Sequence, residues 1–165
     1  MKDFPRIFLL SFLISALFIS CQEDEKPIDN SSKVIGYWRN IIDLDDNQQM
    51  IRSYTFSENG KFQSQTAYIT SDSEELLGYS GRSSGDYTLL NNQLTIKATD
   101  VYTAPESSET PYVPNVSLVY VEEDFSREIE VEITDDKMNW IYPPCGPLEN
   151  CIGSEVFERY TPIEF

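Results

Sequence analysis

Histidine is absent from all 165 residues, and that gap removes the imidazole bases, nucleophile-activating pairs and metal ligands on which much neutral-pH chemistry relies. Positive charge is scarce as well, with 12 Lys and Arg against 28 Asp and Glu and a formal net charge of -16. A surface of that sign repels phosphate backbones, so nucleic acid is not an expected partner. No Gly-rich phosphate loop or nucleophile elbow is present. Carboxylates are so plentiful that they single out no acid/base pair. The expectation is a protein that is not an enzyme, with no catalytic residues, no cofactor and no metal. Apolar residues at 40% and aromatics at 13%, ten of them Tyr, are nevertheless too many for a disordered acidic tail. One globular domain is expected.

Long hydrophobic runs are also missing, apart from one at the start of the chain. Lys2 and Arg6 precede Ile7 to Ile19, 13 residues interrupted only by Ser11 and Ser15. At about 1.5 Å per residue the run reaches roughly 20 Å, short of the ~30 Å hydrocarbon core of a bilayer. It has the length of a signal peptide, so residues 1–20 are excluded from the fold. The following residues, Leu17-Phe18-Ile19-Ser20-Cys21, resemble a bacterial lipobox. That resemblance implies that Cys21 is lipidated and becomes the mature N-terminus. Gln22-Glu23-Asp24-Glu25-Lys26 resembles the acidic export signal of Bacteroidota-type lipoproteins, which implies the outer face of the outer membrane.

From Cys21 onward 10 basic residues face 27 acidic ones, a charge that anionic lipid would repel. Membrane attachment therefore falls to the acyl chains. Residues 21–33, ending in the polar stretch Pro27 to Ser32, read as a flexible acidic tether.

Of three cysteines, Cys145 and Cys151 remain once Cys21 carries lipid, and five residues including Gly146-Pro147 separate them. An exported chain can keep a disulfide, and a Gly-Pro turn lets the two Cα atoms come within the roughly 4.4 to 6.8 Å that a bridge needs. The rival, a metal or redox pair, lacks the two-residue spacing and a nearby His. A local disulfide ordering one rim loop is expected. The stretch Asp43-Leu44-Asp45-Asp46-Asn47 imitates the start of a calcium loop, but Gln48 replaces the turn glycine and Tyr54 the closing Glu. It is expected to be a polar hairpin turn.

From Val34 the apolar pattern has a period of two, and no window of eleven residues carries a helical stripe. A first strand is expected over Val34 to Asp43 and a second over Met50 to Ser57, with Met50, Arg52, Tyr54 and Phe56 on one face. Asn59-Gly60 predicts a type I′ hairpin, with positive φ at both positions. A third strand places Phe62, Ser64, Thr66 and Tyr68 together, a loop is expected over Thr70 to Ser84, and a hairpin from Gly85 turns at Asn91-Asn92. Prolines mark Tyr102 to Asn115 as another loop, and a strand is expected over Val116 to Glu122. Arg127 to Thr134 then alternates Ile129, Val131 and Ile133 inward with three glutamates outward. After Asp135-Asp136 come Met138, Trp140 and Tyr142, and a last strand covers Glu155 to Thr161.

Eight or nine antiparallel strands over residues 34–165 suit a small all-β up-and-down barrel. On that count the first strand's Gly36-Tyr37-Trp38 resembles the G-x-W signature of lipocalins, with Arg159 on the final strand. The resemblance implies that Trp38 closes the narrow barrel end and that Arg159 packs across it. It also implies a ligand at the open mouth, a small apolar or amphipathic molecule, with Tyr54, Phe56, Phe62, Tyr68, Tyr87 and Trp140 as candidate lining. The alternative is an accessory surface lipoprotein with a filled interior that acts through its loops on a protein or glycan. Either way a membrane-anchored monomer is expected.

Overall fold

The computed structural model describes residues 29–44, 47–122, 125–143 and 153–161. Cys21, Cys145, Cys151 and residues 1–20, where a signal peptide is expected, lie outside the described residues. Nine strands follow in order: β1 (Gly36–Asp43), β2 (Gln48–Phe56), β3 (Lys61–Thr70), β4 (Leu76–Leu90), β5 (Gln93–Thr103), β6 (Val119–Val121), β7 (Phe125–Ile133), β8 (Lys137–Ile141) and β9 (Ser154–Arg159). Their spatial order is β4-β3-β2-β1-β9-β8-β7-β5-β6, and β4 pairs again with β5. Eight strands thereby close into an antiparallel barrel, which gives each of them two partners and removes the exposed edges of an open sheet. β6 is the extra strand. It lies beyond β7 along the same side of β5, with Val101 opposite Val121 where Ala98 faces Phe125.

The all-β up-and-down barrel expected from the sequence is the fold observed. Its base is formed by the strand ends at Gly36, Phe56, Leu90 and Arg159, and its rim by those at Asp43, Thr70, Thr103 and Ser154. Alternation sets the two faces: Ile129 and Val131 are each 1% exposed, while Glu128, Glu130 and Glu132 face solvent.

Several local expectations change. β4 begins at Leu76, so most of the anticipated loop Thr70 to Ser84 is strand. Its Ser and Gly residues lack apolar alternation, yet the strand ladders against β3 from Leu76 onward and against β5 as well from Gly81 onward. The first strand starts at Gly36, because Ser31–Val34 forms a single helical turn, α1. Asp29 also bridges Leu90, and the Asn30 amide donates to the Leu89 carbonyl at 3.1 Å, so the end of the tether expected over residues 21–33 is instead joined to the barrel base. The strand expected over Val116 to Glu122 is a 3-10 turn at Asn115–Ser117 followed by β6.

At the Asn59-Gly60 hairpin only Gly60 has positive φ, +75°, within a Ser57–Gly60 turn closed by the Gly60 amide donating to the Ser57 carbonyl at 3.1 Å, with the Ser57 amide donating to the Lys61 carbonyl at 2.9 Å around it. The two-residue geometry with both φ values positive occurs instead at Asn91 (49°) and Asn92 (64°).

Candidate functional site

Trp38 at the base is fully buried, and its indole N–H donates to the Val34 carbonyl at 2.6 Å. Trp38 and Arg159 are register partners between β1 and β9, and the guanidinium carbon lies 4.2 Å from the indole centroid. Arg159 also donates to three main-chain carbonyls: Asp135 at 2.7 Å, Ile35 at 2.7 Å and Lys33 at 3.1 Å. One side chain thus ties α1 and the β7–β8 turn to the floor. Gly36 permits this approach, since a Cβ there would stand 2.8 Å from Arg159 Nη1 and the backbone has φ of +123°. In this chain the glycine and the tryptophan of the tripeptide both serve the same arginine.

The candidate ligand-lining aromatics do not surround one space. Phe56, Phe62, Tyr87 and Trp140 are at most 4% exposed and belong to the core. Tyr54 packs 4.7 Å from Trp140 and 5.4 Å from Phe157 between ring centroids, and Phe56 lies 4.9 Å from Tyr87. These rings fill the lower half of the barrel against one another. Tyr68 stands apart, near the rim, with its ring 5.2 Å from Tyr112 of the β5–β6 connection.

Above the aromatic layer lies a polar cluster. Glu155, 7% exposed, forms an ion pair with Arg52 through one carboxylate oxygen, and accepts the Tyr142 hydroxyl on the other at 2.6 Å. The Arg127 guanidinium sits 5.7 Å from the Tyr142 ring and 5.2 Å from that of Phe125. Burial, then the hydrogen bond to Glu155, pushes the Tyr142 phenol above its ordinary value. Burial also raises Tyr54, against the opposing pull of Arg127 and Arg52. Both Glu155 oxygens are thus occupied, the arrangement that a buried carboxylate needs. The signal for this cluster was visible in the sequence, because Arg52 shares its strand face with Tyr54 and Phe56.

A cavity of about 580 Å³ lies elsewhere, on the outer wall across β1 to β5. Its lining comes mainly from the residues that alternate with the core. Ser53, Thr55, Gln63 and Gln65 form the floor, Tyr37 and Tyr160 one side, and Arg82 and Tyr102 the other. Tyr37 and Tyr160 meet edge to face at 6.0 Å, with Arg39 5.3 Å from the Tyr160 centroid. Across the groove Arg82 lies 4.4 Å from the Tyr102 centroid. A second hollow of about 290 Å³ shares Gln63, Ser84 and Asp100 with the first and continues along the wall. Where it continues, the β4/β5 register shifts between Ser84 and Gly85, and a Cβ on Gly85 would stand 2.0 Å from the Lys97 carbonyl. Such an irregularity bends a strand.

The sequence reading passed over this groove. Its only sequence trace is that the outward faces of β2 and β3 carry hydroxyls and carboxamides where β7 carries glutamates.

Among the described residues no group of three acidic or cysteine side chains could hold a metal ion. Among those residues, too, no helix is long and apolar enough to cross a membrane. No family model, curated protein or solved structure matches the chain.

Proposed function

We propose that this protein is a lipid-anchored binding protein of the bacterial outer surface, in which a filled barrel serves as scaffold and recognition takes place on its outside. The observation that carries the reading is the location of free volume: the core rings pack against each other in the lower barrel, while the cavity of about 580 Å³ lies on the outer wall. Specific small-molecule sites are concave and lined by a few convergent polar groups. The lipobox-like Cys21 and the acidic residues after it support attachment and outward display.

A second reading, a lipocalin-like small ligand inside the rim, is favoured by one atom. Trp140 Nε1 is buried within the barrel without a hydrogen-bond partner among the described residues, and a buried orphan donor is costly. A small acceptor reaching down from the open end would satisfy it.

Two measurements test the proposal. Alkynyl palmitate fed to intact cells should label the wild type and not Cys21→Ala, and added protease should digest the wild type without lysis. Full protection of the protein on intact cells refutes outward display. Native mass spectrometry of protein purified from its own host separates the two readings: a bare mass, or an adduct lost in the Gln63→Ala/Gln65→Ala variant, supports the filled scaffold, and a stoichiometric small-molecule adduct that this variant retains overturns it in favour of the rim ligand.

A further inference from the structure

We propose that the outer-wall groove is a saccharide site that takes a neutral oligosaccharide lying across the strands. The inference rests on the reading that recognition is external, and names the ligand class. It is independent of how the chain is anchored.

The groove's chemistry selects among ligand classes by elimination. Its floor is made of two hydroxyls, Ser53 and Thr55, and two carboxamides, Gln63 and Gln65, groups that donate and accept but carry no charge. An apolar ligand would strip water from these groups and return no hydrogen bonds, so a lipid is excluded. A polyanion meets Arg82 accompanied by Asp100 in the same groove, on a chain of net charge -16, and long-range repulsion opposes it. An extended peptide added as a strand needs a free sheet edge. Here the floor residues belong to β2 and β3, each of which is already paired on both sides.

What fits is a molecule with hydroxyls around its rim and flat C–H faces, which is the chemistry of a sugar ring. Tyrosine supplies such faces with contact area at low conformational cost. The two aromatic walls are placed for it. Tyr37 and Tyr160 support each other, with Arg39 against Tyr160. On the far side, Tyr102 is held between Arg82 and Tyr120, whose ring lies 5.5 Å away. Preorganised rings lose little freedom on binding. From β1 to β5 the backbones that carry the walls are four strand spacings apart along the sheet, about 19 Å. That span suits a short oligosaccharide better than a single sugar. The floor carboxamides have no side-chain hydrogen-bond partner among the described residues, whereas Ser84 already donates to Asp100 at 3.4 Å.

The test uses the full chain in a polyoxyethylene detergent, because sugar-headed detergents would compete. Calorimetric titration with gluco-, manno-, xylo- and galacto-oligosaccharides of two to six units, and with a heparin hexasaccharide, reads the ligand class. At least one neutral series should bind, with affinity rising with length, and heparin should not. The Gln63→Ala/Gln65→Ala double variant should weaken binding at least tenfold, and Tyr102→Ala by a similar factor. Glu128→Gln on β7, outside the groove, should leave it unchanged. Because the carboxamides point to solvent, their variant should unfold like the wild type, which guards against a folding artefact. No neutral series binding at millimolar concentration overturns the inference, as does undiminished binding by the double variant or tighter binding of heparin. Failure of binding with intact surface digestion rejects the groove alone, whereas protection from protease rejects the surface reading.

Discussion

The floor of the barrel offers a quantitative test through Trp38 and Arg159. Trp38→Ala removes a fully buried indole and its hydrogen bond to the Val34 carbonyl, and large-to-small changes of this kind cost about 3 to 5 kcal/mol. Arg159→Ala removes the stacked guanidinium, worth about 0.5 to 2 kcal/mol, together with three hydrogen bonds to carbonyls. Arg159 is exposed, so water replaces part of those bonds and the total loss should be roughly 2 to 3 kcal/mol. Only the stacking is shared between the two residues, since the carbonyls of Lys33, Ile35 and Asp135 remain when the indole is gone. The double variant should therefore lose about 1 kcal/mol less than the sum of the singles. Urea melts of the mature chain carrying Cys21→Ser measure the cycle, with an unchanged m-value as the condition for comparing midpoints. Arg159→Lys keeps the charge but loses the planar fork, and should recover less than half of the loss. A coupling within ~0.3 kcal/mol of zero refutes the argument that the stacked contact stabilises the floor.

Other features give expectations of their own. The phenols of Tyr54, Tyr87, Tyr142 and Tyr160 are all raised above 10.0, chiefly by burial. Because a raised folded value favours the neutral form, their stabilisation is complete below pH ~10 and is lost as pH climbs above it. Absorbance at 295 nm should show a late-titrating tyrosine class that merges with the rest in urea; a single class in the native protein would contradict the burial. Glu155→Gln leaves Arg52 without its counter-charge, and the pair is partly shielded, so a loss of roughly 2 to 3 kcal/mol is expected by thermal melting. A neutral outcome would show that the ion pair is dispensable. Gly85→Ala places a methyl against the Lys97 carbonyl, and should cost at least about 2 kcal/mol by overpacking. If the variant melts like the wild type, the bend does not require the glycine.

Alternation in the chain was enough to define the barrel and the facing of its strands. Ile129 and Val131 turn inward because side chains on a strand change face at every residue, a local rule that needs no knowledge of neighbours. The pairing of Trp38 with Arg159 came instead from the resemblance of Gly36-Tyr37-Trp38 to the G-x-W signature, and the register and stacking agree with it. Three things depended on the closed fold. β4 extends up to Leu76 because β3 pairs with it there and Val113 bridges Tyr79 on the other side, which no pattern in Gly78-Tyr79-Ser80-Gly81 announces. Parity put Tyr54, Phe56 and Trp140 inside, yet it could not say whether they would line a space or close it, since that depends on which rings arrive from the opposite wall. The groove exists only where outward residues of five strands are carried side by side and the wall bends near Gly85. Facing is written locally along each strand, whereas volume, filled or empty, is decided by residues far apart in sequence.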